Sequence, residues 1–289
     1  MRAGIRGDAA VKSQKKSKMI VDGTIYTFLT IGLVFVLLPF IWMLSTSLKQ
    51  LNETFTTRIK FIPDKIMWSN YLEVWRLLPF GRFFLNSSIV SVTVTVLQLF
   101  LCSMAAFAFS RLKWPGRDSV FLLYLAAMMI PGQVILIPNF LMIKLLGGID
   151  TYWGVIVPQL FSVFGTFLLR QFFLTIPAEL EEAAIIDGCG YFKIYRSIIL
   201  PLSKPGLAAL GVFAFMFSWN NFLWPLVVLN KEFMFTLPIG ILSFQGQFST
   251  NWPLMMAGAC QAMLPILIIY AIGQRYFMEG ISLTGFANA

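Results

Sequence analysis

Between Glu179 and Gly190 the chain reads ELEEAAIIDGCG, and four carboxylates, Glu179, Glu181, Glu182 and Asp187, fall within nine residues. Acids this close can share a proton as an acid–base pair, hold a divalent cation, or offer charge to a basic surface. The rest of the sequence decides among these. The 289 residues include no histidine, which removes the commonest base at neutral pH and the commonest metal ligand. Cys102, Cys189 and Cys260 stand far apart without a C-x-x-C pair, so neither a zinc site nor a disulfide frame is expected, and they read as small buried hydrophobes. There is no G-x-x-x-x-G-K-[ST] phosphate loop, and the dipeptide Gly-Lys does not occur. The acids are therefore expected to make contacts and not to run a reaction.

The element that must position them follows from helix-terminal chemistry. Pro177 suits a helix N-terminus, and Glu179, Glu181 and Glu182 fall in or near a first turn, where the helix dipole favours acids. Glu182 to Ile186 has strong helix propensity, and the alanines permit close approach by another surface. Gly188 and Gly190 then end the helix, since glycine readily takes the left-handed terminal conformation. A second run over 191–200 places Phe192, Tyr195, Ile198 and Ile199 at helical spacing around Lys193 and Arg196, which suits a helix lying on a headgroup layer. Pro201 and Pro205 mark the turn out. The stretch 177–205 thus predicts two short helices on a glycine hinge. A plain solvated connector is the alternative for any such charge run.

The surroundings are those of an integral membrane protein: 58% of residues are hydrophobic, 12% are charged, and the mean hydropathy is +0.77. Soluble domains average about 45–50% apolar and about 25% charged. A spanning helix needs about 20 mainly apolar residues. Six segments qualify: 24–44, 84–109, 119–143, 152–170, 206–229 and 254–274, with kinks expected near Pro39, Pro131, Pro138, Pro158, Pro225 and Pro265. They contain no Asp, Glu or Lys, and their one Arg, Arg170, closes the fourth. A proton relay through the membrane is therefore not expected, and uphill transport would draw its energy from another chain.

With the N-terminus cytoplasmic, 14 of the 22 basic residues lie on that side, and six of the other eight fall in the first outer loop, 45–83. The cluster Arg2, Arg6, Lys12, Lys15, Lys16 and Lys18 ahead of the first segment places both termini in the cytoplasm. The basic stretch is too long for a signal peptide and no small-residue cleavage site follows, so the first segment reads as a retained anchor. Residues 1–20 are then a basic cytoplasmic segment and 21–289 a single six-span domain, with a short interfacial helix expected in FIPDKIMWSNYLEVW. The net charge of +9 is assigned to cytoplasmic loops and anionic lipid, not to nucleic acid. A stand-alone secondary carrier or channel for a small polar solute stays open on these grounds.

Glu182, Ala183, Ala184, Gly188, Ile198, Leu200 and Pro201 form the pattern E-A-A-x3-G-x9-I-x-L-P. This resembles the EAA loop of the membrane subunits of ATP-binding-cassette (ABC) importers at every signature position. The stretches STSLK (45–49), NSSIVS (86–91), SRLKWPGRD (110–118), MMIPGQVILIP (128–138), FLLRQFF (167–173), SWNNFLWPL (218–226) and TLPIG (236–240) are similar to permeases of bacterial carbohydrate importers. The likeness is to the second permease of maltose, glycerol-phosphate and multiple-sugar systems. The final residues, GISLTGFANA, depart from that family's usual glycine- and lysine-containing end.

The resemblance implies an all-α membrane protein with the type I ABC importer permease fold, its six transmembrane helices carrying the EAA coupling loop between helices four and five. It implies that Glu181, Glu182, Ala183, Ala184, Asp187 and Gly188 dock on a cytoplasmic ATPase dimer, while Ile198, Leu200 and Pro201 fix the loop to the fifth span. ATP and Mg would be bound by that ATPase, with no cofactor and no catalysis in this chain. The implied partners are a second permease in a heterodimer, an extracytoplasmic solute-binding protein and a carbohydrate, in the bacterial cytoplasmic membrane. Asn86, Gln133, Trp219, Asn220 and Asn221 are the residues expected along the translocation path, where Trp219 or Trp224 could stack on a sugar face. Bonding between helices is the alternative for each, as it is for Gln98, and an aromatic belt is the alternative for Trp224.

Overall fold

A computed structural model describes residues 2–56, 60–246 and 249–285, with side chains described over 21–56, 60–246 and 249–274. The side chains of the basic segment 1–20 and of the C-terminal stretch from Arg275 lie outside the described residues. In chain order the helices are α1 (Arg2–Ser47), α2 (Ser69–Leu77), α3 (Phe80–Ser110), α4 (Arg117–Ala126), α5 (Gly132–Leu145), α6 (Tyr152–Ile156), α7 (Val163–Leu174), α8 (Glu179–Ile186), α9 (Tyr191–Ile194), α10 (Leu200–Leu202), α11 (Lys204–Trp219), α12 (Leu223–Val228), α13 (Leu237–Leu242) and α14 (Trp252–Gly285).

Among the described residues three helices are long and apolar enough to cross a membrane: Val21–Ser47 of α1, all of α3, and Trp252–Gln274 of α14. They cover the expected segments 24–44, 84–109 and 254–274. The other regions fall on broken helices. The axis bends by 96° between Arg117–Met129 and Gly132–Leu145, by 46° between Tyr152–Gln159 and Val163–Leu174, and by 79° between Tyr191–Leu202 and Lys204–Trp219. The expected segment 206–229 is not one helix: α11 stops at Trp219 and α12 begins at Leu223.

The breaks have local causes. Pro131 is extended at ψ 135° and has no N–H to offer a preceding turn. Ser162, also extended, accepts a hydrogen bond from the Gly165 N–H and so starts α7 anew. Asn220 and Asn221, poor helix formers, follow α11. Pro39, Pro138 and Pro265 stay inside continuous helices.

α3 is the central element, packed on both α7 and α11, while α1 lies along α14 with its other faces exposed. Close approach depends on small residues. A Cβ at Gly165 would lie 2.9 Å from Leu210 Cδ1 and 3.1 Å from Cys102 Sγ. In lipid such contacts act through tight packing more than through exclusion of water. One core cluster joins Ala106 and Phe107 of α3, Leu169 and Phe173 of α7 and Leu210 of α11 to Ala184, Ile194 and Ile199 of the α8–α10 region. That short-helix region is therefore built into the bundle.

The stretch Ser45–Lys49 folds as a buried polar node that ties α1 to α2. Asn70 Nδ2 donates to the carbonyls of Ser47 (2.8 Å) and Lys49 (2.9 Å), and the hydroxyls of Ser47 and Tyr71 are 2.8 Å apart. The Lys49 ammonium donates to the Lys60 carbonyl and lies 4.2 Å from the centre of the Trp42 ring. Burial holds its pKa below the ordinary lysine range, against the pull of Glu53. The short helix expected after Pro63 is α2, with Asn70 and Val74 buried and Leu72, Trp75 and Leu77 exposed.

Candidate functional site

α8 carries Glu179, Glu181 and Glu182 in its first turn and has Asp187 as its C-cap. Gly188 follows at φ 79°. Its N–H donates to the Ile185 carbonyl, and the Cys189 N–H reaches back to the Ala184 carbonyl, both at 2.9 Å. This paired pattern closes a helix through a left-handed residue. Gly190 instead is extended, at φ −74° and ψ 159°, and opens α9. The reversal thus resides in one glycine, not two. Because a Cβ at Gly190 would meet nothing within 4 Å, Gly190→Ala is expected to leave the fold intact, read as an unchanged folded yield and a thermal midpoint close to that of the parent chain.

The structure divides the expected docking residues between two faces. Ala184 is buried in the core cluster, and Glu181, three residues earlier on the same face, also turns inward. Glu182, Ala183, Asp187 and Gly188 are exposed. Beside them Ile185 and Ile186 are 50% and 86% exposed, an apolar surface that sequence reasoning did not single out. The available signal was the helical register: with Ala184 inside, the next two residues must leave that face.

Glu181 meets Arg111, which belongs to the stretch SRLKWPGRD. Arg111 is the C-cap of α3. Its Nη2 donates to the carbonyls of Phe173 and Ile176, where α7 ends. Its Nε lies 2.9 Å from Glu181 Oε1, close as an ion pair but poorly aligned as a hydrogen bond. Burial raises the Glu181 carboxyl above its ordinary pKa, against the opposing pull of Arg111. Nearby, Arg117 Nε donates to Asp118 Oδ1 at 3.0 Å. Arg170 donates to the Phe109 carbonyl and covers the Phe121 ring.

After α9 the chain widens into a π turn, Tyr195–Ile199, where the Leu200 N–H bonds to the Tyr195 carbonyl. The turn directly precedes Pro201, whose ring would collide with the Ser197 carbonyl of a regular helix. Ile198 and Leu200 are half-buried and pack on the core cluster, whereas Pro201 is exposed. The Tyr195 hydroxyl lies 2.7 Å from Ser103 Oγ on α3, a further tie between this region and the bundle. Among the described residues no group of His, Cys, Asp and Glu could hold a metal ion.

Of the expected path residues, Trp219 and Asn220 come together. They line a cavity of about 230 Å³ with Pro238, Ile241, Ala262 and Met263. Trp219 is buried, donates to the Ala262 carbonyl at 3.0 Å and stacks on Phe215 with centroids 5.4 Å apart. Asn220 is exposed and bonds back to the Met216 carbonyl. Asn221 is half-buried, and Gln133 is exposed on α5 away from this cavity. Asn86 is fully buried and fully engaged: it donates to the carbonyls of Phe233 and Phe235 and accepts from the Tyr152 hydroxyl. Trp224 is likewise buried, bonded to the Gly154 carbonyl, and Gln98 donates to that of Gln159. Asn86→Ala would take the amide from the Phe235 carbonyl and the Tyr152 hydroxyl and leave the Phe233 carbonyl only its bond from Arg82 Nε. It is expected to cost about 1–3 kcal/mol, read as a lowered midpoint in thermal unfolding.

The fold is that of a membrane chain of ABC importers. A chain of the bacterial transporter involved in import of the acidic polysaccharide alginate superposes with a TM-score of 0.79, covering 90% of this chain and 98% of that one at 24% identity. A chain of the MetNI methionine transporter in its inward-facing conformation gives 0.51, over 72% of this chain and 94% of that one at 15% identity. The chain belongs to the family of binding-protein-dependent transport system inner membrane components, whose sequence profile matches residues 98–282. It is 36% identical over 261 residues to the arabinooligosaccharides transport system permease protein AraQ of Bacillus subtilis, spanning 89% of this chain and 92% of that one. It is 33% identical over 265 residues to the sn-glycerol-3-phosphate transport system permease protein UgpE of Pectobacterium atrosepticum, covering 89% and 94%. These relatives are transport components, and this chain is a membrane permease subunit, not an enzyme.

Proposed function

We propose that this chain is one permease subunit of an ATP-driven importer for a sugar, oligosaccharide or sugar derivative. The observation that carries the reading is the two-sided α8: one face is fused to the core of α3, α7 and α11, and the other offers Glu182, Ala183, Asp187 and Gly188 beside two exposed isoleucines. A dimeric ATPase docked on that outer face would drive the bundle between inward- and outward-facing states. Carboxylates at the edge of an apolar patch set register against Arg or Lys as well as adding affinity. In this reading the first two bent pairs each make one span and 206–229 makes another, which gives six, with both termini, α8 and the loop through 205 in the cytoplasm.

ATP and Mg would bind the partner ATPase. The extracytoplasmic binding protein would deliver the solute, and a second permease would complete a heterodimer. The cavity at Trp219 and Asn220, about 230 Å³, is smaller than the about 300–1,000 Å³ of a small-molecule site. That size supports a path built jointly with the second permease, with Asn221, Gln133 and Asn86 as its further residues on this side. The names of the relatives, arabinooligosaccharide and glycerol-phosphate systems, support a carbohydrate cargo.

The test is uptake by proteoliposomes that contain this chain with its cognate second permease and ATPase, supplied with the binding protein and a panel of labelled oligosaccharides. ATP-dependent accumulation is expected from the assembly and none from the chain alone. Flux through the chain alone would replace this reading with a stand-alone carrier or channel.

A further inference from the structure

Three elements meet at a buried guanidinium. Arg111 ends α3, its Nη2 donates to the Phe173 and Ile176 carbonyls at the end of α7, and its Nε lies 2.9 Å from Glu181 of α8. The two side chains are only 8% and 13% exposed. As a source of stability this is a poor arrangement, because desolvating both charges costs about what their attraction returns. Its distinctive property is directional. A planar guanidinium held on two carbonyls and one carboxylate has a single orientation, whereas the apolar contacts of Ala184 and Ile194 with the core fix no angle. Of the carbonyls that Arg111 holds, Phe173 is in the last turn of α7 and Ile176 is on the short link into α8, so displacement of α8 reaches α3 and α7 through the same side chain.

Resting on the permease reading, we propose that Arg111 and Glu181 are positioning residues that transmit the displacement of α8 to α3 and α7, and that Glu181 is not part of the surface α8 offers to the ATPase. Glu181→Gln keeps the shape of the side chain and removes its charge. Arg111→Lys keeps the charge, but a compact ammonium cannot serve both carbonyls and the carboxylate. Each variant is assembled with the cognate partners in proteoliposomes, and ATP hydrolysis and solute uptake are measured together.

The expected result is a split: hydrolysis within about twofold of wild type, and solute moved per ATP reduced about tenfold or more, as for other couplings of 1–3 kcal/mol. A merely stabilising pair would lower assembly yield or thermal midpoint and leave the ratio of uptake to hydrolysis unchanged. An unchanged ratio in either variant that assembles overturns the proposal. So does failure of both variants to assemble, which would make the pair a determinant of folding. If the wild-type assembly itself shows no ATP-dependent uptake, the permease reading fails instead, so the two failures are distinct.

Discussion

Gly188→Asn is expected to leave the chain folded in the membrane and to reduce uptake at least tenfold. Gly188 lies at φ 79°, and a Cβ there would meet no described atom of this chain within 4 Å. Asparagine tolerates the left-handed region, where most other residues lose about 1–2 kcal/mol. The substitution therefore places bulk on the surface of α8 with little strain beneath it. If an ATPase sits against that surface, the amide obstructs it, and a tenfold loss corresponds to only about 1.4 kcal/mol of docking energy. Gly188→Val should do worse, because it adds backbone strain to the obstruction. The measurements are initial uptake rate, amount of chain in the membrane and thermal midpoint, with Gly190→Ala as the silent control. Wild-type uptake by Gly188→Asn would show that the glycine serves only its own backbone and that docking lies elsewhere.

Gly154→Ala is expected to be severely damaging for the addition of a single methyl group. The new Cβ would overlap the Gly148 carbonyl oxygen and lie 2.9 Å from its carbon. That peptide has nowhere to go. The Gly148 N–H donates to the Ile143 carbonyl at 2.8 Å, and the Gly148 carbonyl accepts from Thr151 Oγ1 at 2.7 Å. The same Thr151 hydroxyl caps α6 by accepting from the Gly154 N–H. Asp150 then ties the turn to the chain after α12 by accepting from the Asn230 and Lys231 N–H groups. Overpacking costs about 1–3 kcal/mol where side chains can adjust, and more where backbone must move. A large fall in thermal midpoint and in folded yield is expected. Gly148→Ala, whose Cβ would press on the side chains of Ile143 and Trp153 as well as sit near φ values open to any residue, should be milder in the same assay.

Much of the α8 region was legible in advance because its signals are local. Acids in a first turn, alanines in the middle and a glycine at the end specify a short helix and its stop, and Gly188 takes the left-handed conformation that role requires. The membrane class was legible from the length of the apolar runs, and α1, α3 and α14 fall where those runs do. The breaks were less so. An apolar run continues through Asn220 and Asn221 into Leu223–Val228, and hydropathy carries no sign that the helix axis ends there.

The partner of each polar side chain was not legible at all. Asn86 and Trp219 have the same appearance in the sequence, an amide and an indole among apolar neighbours. One is saturated by the carbonyls of Phe233 and Phe235, and the other borders a cavity. Glu181 and Glu182 are adjacent acids in one motif, yet one faces Arg111 from 70 residues away and the other faces solvent. By itself the sequence determined that this is an apolar helical chain with an acid-rich, glycine-stopped helix set between membrane segments, because composition, helix propensity and termini act over a few residues. Only the tertiary structure decided which face of that helix belongs to the core and which is exposed. That choice depends on where α3 and α7 end relative to α8, and it arises from contacts between residues far apart in the chain.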